Sequence, residues 1–520
     1  MANTVELVFP LGGVQRRTSA RVSDKTTVPT AAWAVNVQAE GPIDRRIRGG
    51  SRTGLTKLVD HDFGTTIADM VSMNVSRGDG TREILVILSD SSLSVIDGGD
   101  VTSPVAYLTN ASGDRLTTPA GDLIVVSSRD APANGFLVAG QQHVFAITQS
   151  GIVKMDPVSG QVDDVMASAG SIPTQCTFGV VYRDRLILSG QDNAIYASAT
   201  GRYDDWDFGT HFETTTRAVV FQLALANEVG DLPTAMIAHK DDFLICATKR
   251  SLWVLRGDPA TGQLIRVSEH VGIVDARAWC RTDDAVVFLA EDGLYSVNAD
   301  GTGLKPLTPQ KIPEELREID TDTVTVSIGY DHQRLAYHIY LRTTAGSDTH
   351  FIYEQQLEAF WPIRLTNDHT PRIVCRHRGN LVLAGNDGNI RKVDGADDDG
   401  QSIDSHLLIG PVKLGSLNFF GIVNTLHGVL ANDSGNVTWR LIVGDSAEVV
   451  TDSGKSAIEA FQSGSDFSSL IRSVGTWSAG RSRTSRPRAR GLWACVWIQS
   501  TNQWALEGVT MQVNSAGAWR

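Results

Sequence analysis

The sequence predicts an all-β fold: a β-propeller of six to eight degenerate blades followed by a C-terminal β-sandwich-like module. Three observations carry this expectation. The first is a hairpin grammar, clearest between Tyr182 and Phe212. There the run Leu186, Ile187 and Leu188 meets the turn formers Gly190 to Asn193, and Ala194 to Ser198 resumes an apolar–polar alternation. Two short strands around a Gly/Asp/Asn turn make a β-hairpin. The second is recurrence. With Leu85, Leu137, Leu186, Leu244, Val287, Leu335 and Leu381 as anchors, the steps are 52, 49, 58, 43, 48 and 46 residues. Intervals of about 40–50 residues, each holding several short strands, fit propeller blades. The third is a change of texture after residue 401, where six of the eleven tryptophans (439, 477, 493, 497, 504 and 519) accompany longer strands.

A ring has a physical reason. One small sheet cannot bury both of its faces, whereas sheets packed radially bury them against each other and leave only short edges. Separate β-sandwiches would also give regular hairpins, but seven copies at similar steps favour the ring. The composition agrees: 42% hydrophobic residues support a large core, and 49 glycines suit many tight turns. At 520 residues the chain suits a propeller plus one further module. A net charge of −13 argues against a dedicated nucleic-acid binder.

Taken in order, residues 1–59 form an N-terminal arm and first strands, 60–401 the blades, and 402–520 a Trp- and Arg-rich β module. Residues 1–32 read as an extended arm; Trp33, Val35 and Val37 then alternate as in a strand. Arg45, Arg46, Arg48 and Arg52 follow within eight residues, read as a solvated hairpin or a contact to an acidic neighbour. Trp206 and Phe208, two apart, are expected on one face of a strand. Pro313 before Glu314 and Glu315 marks a short connecting helix. The acidic stretch 395–401 reads as a solvated turn at a domain boundary. In the last segment, strands are expected at Leu417–Leu430, Asn436–Val443, Arg490–Gln499 and Leu506–Asn514, with an Arg-rich loop between them (Arg481, Arg483, Arg486, Arg488 and Arg490) at a subunit contact.

Chemistry-bearing patterns are sparse. The chain has no HExxH, GxSxG or GxxxxGK[ST] motif. His332 and His338 share a strand face by parity and read as partly exposed strand histidines. Asp204–Asp205 and Asp283–Asp284 read as turn acids. Cys176, Cys246, Cys280, Cys375 and Cys495 are far apart, without a CxxC pair, and read as buried structural thiols. No catalytic, cofactor or metal residues are assigned. The first residues lack a signal-peptide pattern and no window approaches a membrane span, so synthesis and retention in a reducing cytoplasm are expected. Asp433–Trp439 resembles the Asp-box turn of sialidase-type propellers, with one extra residue before Thr438. A carbohydrate-active or carbohydrate-binding propeller is therefore the alternative reading.

Three segments carry a further resemblance: Asn36 through Arg45–Arg48, Gly49, Gly50 and Gly54; the blade around Leu186–Phe208; and Gly475–Trp477, Arg481 and Arg486–Gly491 before tryptophan-bearing strands. Together these resemble the tail nozzle or hub proteins of short-tailed bacteriophages, also called tail tubular or head–tail stabilisation proteins. The resemblance implies a virion structural protein without enzymatic activity or cofactor. It implies a homo-oligomeric ring, usually a hexamer, below a portal and adaptor, through which genomic DNA leaves without specific binding. Arg45, Arg46, Arg48, Arg481, Arg483, Arg486, Arg488 and Arg490 are the expected subunit-interface residues.

Overall fold

The computed structural model describes residues 3–518 apart from 15–28, 65–66, 78–79, 90–91, 103–105, 108–124, 127–134, 210–214, 226–227, 229, 299–300, 302, 308–310, 318, 321–322, 344–349 and 417–418. Seven four-stranded antiparallel sheets follow one another as blades. Their first strands are Ile67–Arg77, Phe136–Gly140, Cys176–Tyr182, Pro233–His239, Trp279–Arg281, Val324–Asp331 and Pro371–His377. These first strands lie side by side around the axis, and the later strands of each blade step outwards. The propeller expectation holds, with seven blades.

The second strands explain why the sequence shows continuous aliphatic runs. In Gly80–Ser89, the residues Ile84 to Leu88 are all fully buried. Successive strand residues point to opposite faces, and here both faces are covered. Leu85 and Ile87 pack on the seventh blade with Ile373 and Val382, whereas Ile84, Val86 and Leu88 pack on the second with Leu137 and Val144. The first-to-seventh contact closes the ring. Five of the anchors lie in second strands, Leu137 lies in a first strand, and Leu335 precedes a second strand. Those two offsets account for the uneven steps.

The seventh blade has an unusual makeup. Pro371–His377, Asn380–Gly385 and Ile390–Val393 supply three strands, and the fourth is Leu55–Lys57, paired antiparallel with Ile390–Val393. The N-terminal segment therefore completes the propeller rather than standing apart from it.

Residues 405–518 form two facing sheets, joined by two strands from the N-terminus. One sheet runs Asn3–Leu7, Leu506–Ala518, Phe419–Leu430, Gly480–Gly491; the other runs Trp33–Val35, Ser405–Lys413, Trp493–Ser500, Val437–Gly444, Ser473–Trp477. Alternation sorts their side chains. Trp439, Leu441, Val496 and Ile498 face Val423, Leu426 and Met511 of the other sheet, while Ile442, Cys495 and Trp497 face away. That outer face is covered by helix α1 (Ala447–Gln462), absent from the sequence expectation. Ser446 caps it, its hydroxyl accepting from the Val449 amide at 3.1 Å. Ala447, Val450, Gly454, Ala457 and Ile458 form its buried stripe. Gly454 permits the approach, since a Cβ there would meet Leu408 Cδ2 at 2.7 Å.

Propeller and module share one core through the sixth blade. Its outermost strand, Ala359–Ile363, is buried throughout, an uncommon state for a blade rim. Phe9 packs on Trp361 with ring centroids 5.4 Å apart, and the Val14 amide donates to the Phe360 carbonyl at 3.0 Å. Beside this contact, Arg52 and Asp398 form a buried ion pair. Arg52 Nη1 donates to Asp398 Oδ1 at 2.9 Å and to the Thr53 carbonyl at 3.0 Å; Nη2 also engages Asp398 Oδ2, and Nε donates to Asn36 Oδ1 at 3.1 Å. The stretch 395–401 is thus not the solvated turn expected of it. Arg52 likewise leaves the exposed basic run, because its chain neighbours place it between modules.

Two further expectations change. Trp206 is buried against Leu186 and Leu188, but Phe208 lies beyond the strand and is 36% exposed, so the two rings do not share a buried face. The connecting helix is a single 3-10 turn, Glu314–Leu316, anchored by buried Leu316.

Removing the Asp398 carboxylate strands a buried guanidinium, so Asp398→Ala is expected to destabilise the protein by about 3 kcal/mol, read as a lower midpoint in urea unfolding at pH 7. Glu354, buried in His350–Glu354, accepts from the Ala39 amide at 3.0 Å, and burial pushes its pKa up to about 7. Between the ordinary glutamate value and about 7 the folded chain holds a proton that the unfolded chain has released. Stability therefore falls as pH rises through that window, then levels off. Glu354→Gln is expected to flatten this part of the stability–pH curve; an unaltered slope would exclude Glu354 as its source.

Candidate functional site

The expected basic interface residues fall in two places. Arg45, Arg46 and Arg48 belong to the hairpin Val37–Glu40 and Ile47–Ser51. Arg45 donates to Gln333 Oε1 at 3.3 Å, Arg46 sits 3.3 Å from Asp44 and is 74% exposed, and Arg48 bridges Asp44 at 2.7 Å and Glu507 at 2.6 Å. Arg481, Arg488 and Arg490 are exposed on Gly480–Gly491, which is not a loop but the edge strand of the four-stranded sheet. The side chains of Arg483 and Arg486 lie outside the described residues. The long alternation Arg481, Arg483 then Arg488, Arg490 is a strand signature interrupted by a bulge opposite Val423 and Thr425. Arg490 stands over the Phe420 ring at 4.5 Å. The hairpin reaches the module through Glu507, and no ion pair joins the two arginine groups among the described residues.

A concavity lies elsewhere, on the propeller axis. A cavity of about 420 Å³ opens where the first strands of blades four, five, six and seven end, with Met70 to Ser72 of the first blade on its far wall. Three of these strands are followed by turn residues that line it, Lys240 after His239, Thr282 and Asp283 after Arg281, and His332 after Asp331, while the seventh blade lines it from within its strands. Four cations line it, Lys240, Arg277, Arg281 and Arg376, against the single carboxylate Asp283.

Their partners differ. Arg277 is committed to the fold: Nη2 engages the buried Asp69 carboxylate and donates to the Leu137 carbonyl at 3.1 Å, and its guanidinium lies 3.7 Å from the Phe136 ring centroid. Asp69 also accepts from the Leu137 amide at 2.6 Å. Burial pushes the Asp69 carboxyl up, a shift that Arg277 opposes. Arg281 donates to the Ala238 carbonyl at 2.6 Å, and Arg376 to His332 Nε2 at 2.8 Å. Burial also pulls the Arg281 guanidinium down. Lys240, Arg281 and Arg376 have no carboxylate within ion-pair distance among the described residues.

The histidines divide likewise. His332 lines the cavity, its ring edge-on to Tyr330 at 4.7 Å. His338 is buried beside the Tyr340 hydroxyl, 3.2 Å away, and burial holds its pKa below the usual range, contrary to the expected partial exposure. His239 was not singled out by any motif. It is 2% exposed, stacks on Phe243 at 5.1 Å, and neither ring nitrogen has a hydrogen-bond partner. Burial, with Lys240 and Arg281, holds its pKa below the usual range, a shift that Asp242 opposes. Cys280 and Cys375 also line the wall; all five cysteines are unpaired, and burial pushes the Cys375 thiol up to about 12. Such thiols are poor nucleophiles. No sequence pattern marks this site because its residues come in short groups from five blades, far apart in the chain.

No protein-family model matches the chain, and no curated protein matches it in sequence. Among solved structures it is similar to the extracellular domain of a one-component system from B. thetaiotaomicron, at 13% identity and a TM-score of 0.41, covering 71% of this chain and 40% of that one. It is similar to virginiamycin B lyase from Staphylococcus aureus at 12% identity and a TM-score of 0.40, covering 66% of this chain and 98% of that one. The WD40 β-propeller domain of Doa1 matches at 10% identity, with a TM-score of 0.37 and coverage of 66% and 95%. Among the described residues, no helix is long and apolar enough to cross a membrane.

Arg277→Met is expected to leave Asp69 buried without its counter-charge and to lower stability by about 3 kcal/mol at pH 7. The loss should shrink as pH falls and the carboxyl takes up a proton. Equal losses at pH 5 and pH 7 in urea unfolding would show that packing, not charge, is responsible.

Proposed function

We propose that this chain is a structural subunit of the tail of a short-tailed bacteriophage. In this reading it forms a homo-oligomeric ring of six, a nozzle or hub below the portal and adaptor through which the genome leaves. The observation that carries the reading is the edge strand Gly480–Gly491, twelve residues long, arginine-rich and without a neighbour on its outer side among the described residues. Open edges invite pairing with another chain, and exposed arginines meet carboxylates well across interfaces. With a net charge of −13, further copies of this chain offer acidic surface.

The segments that carry the family resemblance support the same reading by where they sit. Asn36 to Gly54 is the crossing between propeller and module, and its glycines allow close packing: a Cβ at Gly50 would meet the Trp504 carbonyl at 2.1 Å, and one at Gly54 the Asp397 carbonyl at 1.9 Å. Gly475 lies against the Trp439 ring, where a Cβ would fall 2.6 Å from Cζ2. These are architectural positions, as a wall-building subunit requires. The Asp433–Trp439 turn, which suggested a sugar-active propeller, belongs to the sandwich, where Trp439 is core.

Purified protein is expected to run as a ring in native mass spectrometry and negative-stain images, and Arg481→Glu with Arg488→Glu is expected to release monomers of unchanged circular dichroism. A wild-type monomer at tens of micromolar would refute the reading.

A further inference from the structure

The axial cavity combines features that a purely structural core lacks. Three cations converge on it from three blades without carboxylate partners: Lys240 from the fourth, Arg281 from the fifth and Arg376 from the seventh. Like charges gathered around one concavity repel one another, and all three remain open to solvent, where an incoming anion can reach them. The chain carries thirteen excess negative charges, so this local excess of positive charge is not a sample of the whole surface. His239 adds an independent sign. A buried imidazole with both nitrogens unsatisfied carries an energetic cost that a hydrogen-bonding ligand beside it would relieve. Its neutral ring can offer one donor, beside the free donors of Arg281.

The volume, about 420 Å³, lies in the range of small-molecule sites. The aromatic wall, Trp279 and Tyr330, can pack on a compact organic body without supplying further charge. The acids near the site do not fill the role of the missing counter-ion. Asp69 is held by Arg277, and Asp283, exposed like the three cations, forms no ion pair with any of them among the described residues.

We propose that the axial cavity is a binding site for a small multivalent oxyanion, with its phosphoryl-type oxygens between Lys240, Arg281 and Arg376 and a hydrogen bond from His239. The ligand neutralises the cavity and ties blades four, five and seven together, so its binding stiffens the propeller. This does not depend on the ring proposal, since the site lies within one subunit.

Inorganic pyrophosphate is the probe, titrated into the full-length protein by calorimetry, with thermal unfolding in parallel at constant ionic strength. Saturable binding at one site per chain is expected, together with a raised unfolding temperature that sodium chloride does not reproduce. Arg281→Gln with Arg376→Gln should weaken binding at least tenfold, whereas Arg46→Gln, outside the cavity, should leave it unchanged. If the double variant folds poorly, Lys240→Gln in its exposed turn serves instead, with a severalfold loss expected. Two results would overturn the proposal: no saturable binding by the wild-type chain at millimolar pyrophosphate, or equal binding by wild type and every cavity variant.

Discussion

The Arg52–Asp398 pair sits where four stretches of chain meet. Arg52 follows the N-terminal hairpin, Asp398 follows the third strand of the seventh blade, Asn36 joins them through Arg52 Nε, and Asn36 Nδ2 donates to the Asp404 carbonyl at the entry to the module. The Arg364 amide, at the end of the sixth blade, donates to Asn36 Oδ1 at 2.9 Å. Every guanidinium donor has an acceptor, which is the condition under which a buried charge is tolerated. Around it the main chain also pairs: the Leu55 amide donates to the Asp397 carbonyl and the Asp399 amide to the Leu55 carbonyl. A single charged contact thus fixes the angle at which the final blade strand enters and the distance between the two modules.

The same logic, polar groups buried only where geometry satisfies them, explains the blades. Arg185 is fully buried in the third blade, yet Nε and Nη2 reach Asp258, Nη2 also donates to the Thr215 carbonyl, and Nη1 donates to the Ser198 and Arg217 carbonyls. Asp387 and Asp399 hold Arg391 in the seventh, and Arg391 holds the Asp387 carboxyl low, at about 2. These links join turns within or between adjacent blades, so they add stiffness to a ring whose main cohesion is the alternating aliphatic packing.

The sheets were legible in the sequence because a strand buried on both faces writes an unbroken aliphatic run, and Leu186, Ile187 and Leu188 do so plainly. The fourth strand of the seventh blade was not legible, since Leu55–Lys57 is three residues long and its partner lies more than three hundred residues away. Helix α1 was hidden by its composition: Val449, Val450, Thr451 and Gly454 are weak helix formers, and tertiary burial overrides them. The arginine tract was read as a loop because Gly480, Pro487 and Gly491 punctuate it, whereas the edge position tolerates them. The axial cavity had no sequence signal at all. Its cations are ordinary strand and turn residues until the ring brings them together, and the unsatisfied ring nitrogens of His239 show only in the fold.

Completion of the seventh blade by Leu55–Lys57 has a consequence for how the chain is made on the ribosome. The segment that shuts the circle emerges early and must wait, unpaired, until Ile390–Val393 has been translated. Trp33–Val35 waits longer, for Ser405–Lys413, and Asn3–Leu7 waits for the last strand of all. Contacts of such long sequence separation form late, and nascent chains meanwhile expose bare strand edges to one another. A product that ends before Ile390 lacks the partners of all three, so neither the propeller nor the module can close until those late strands are made.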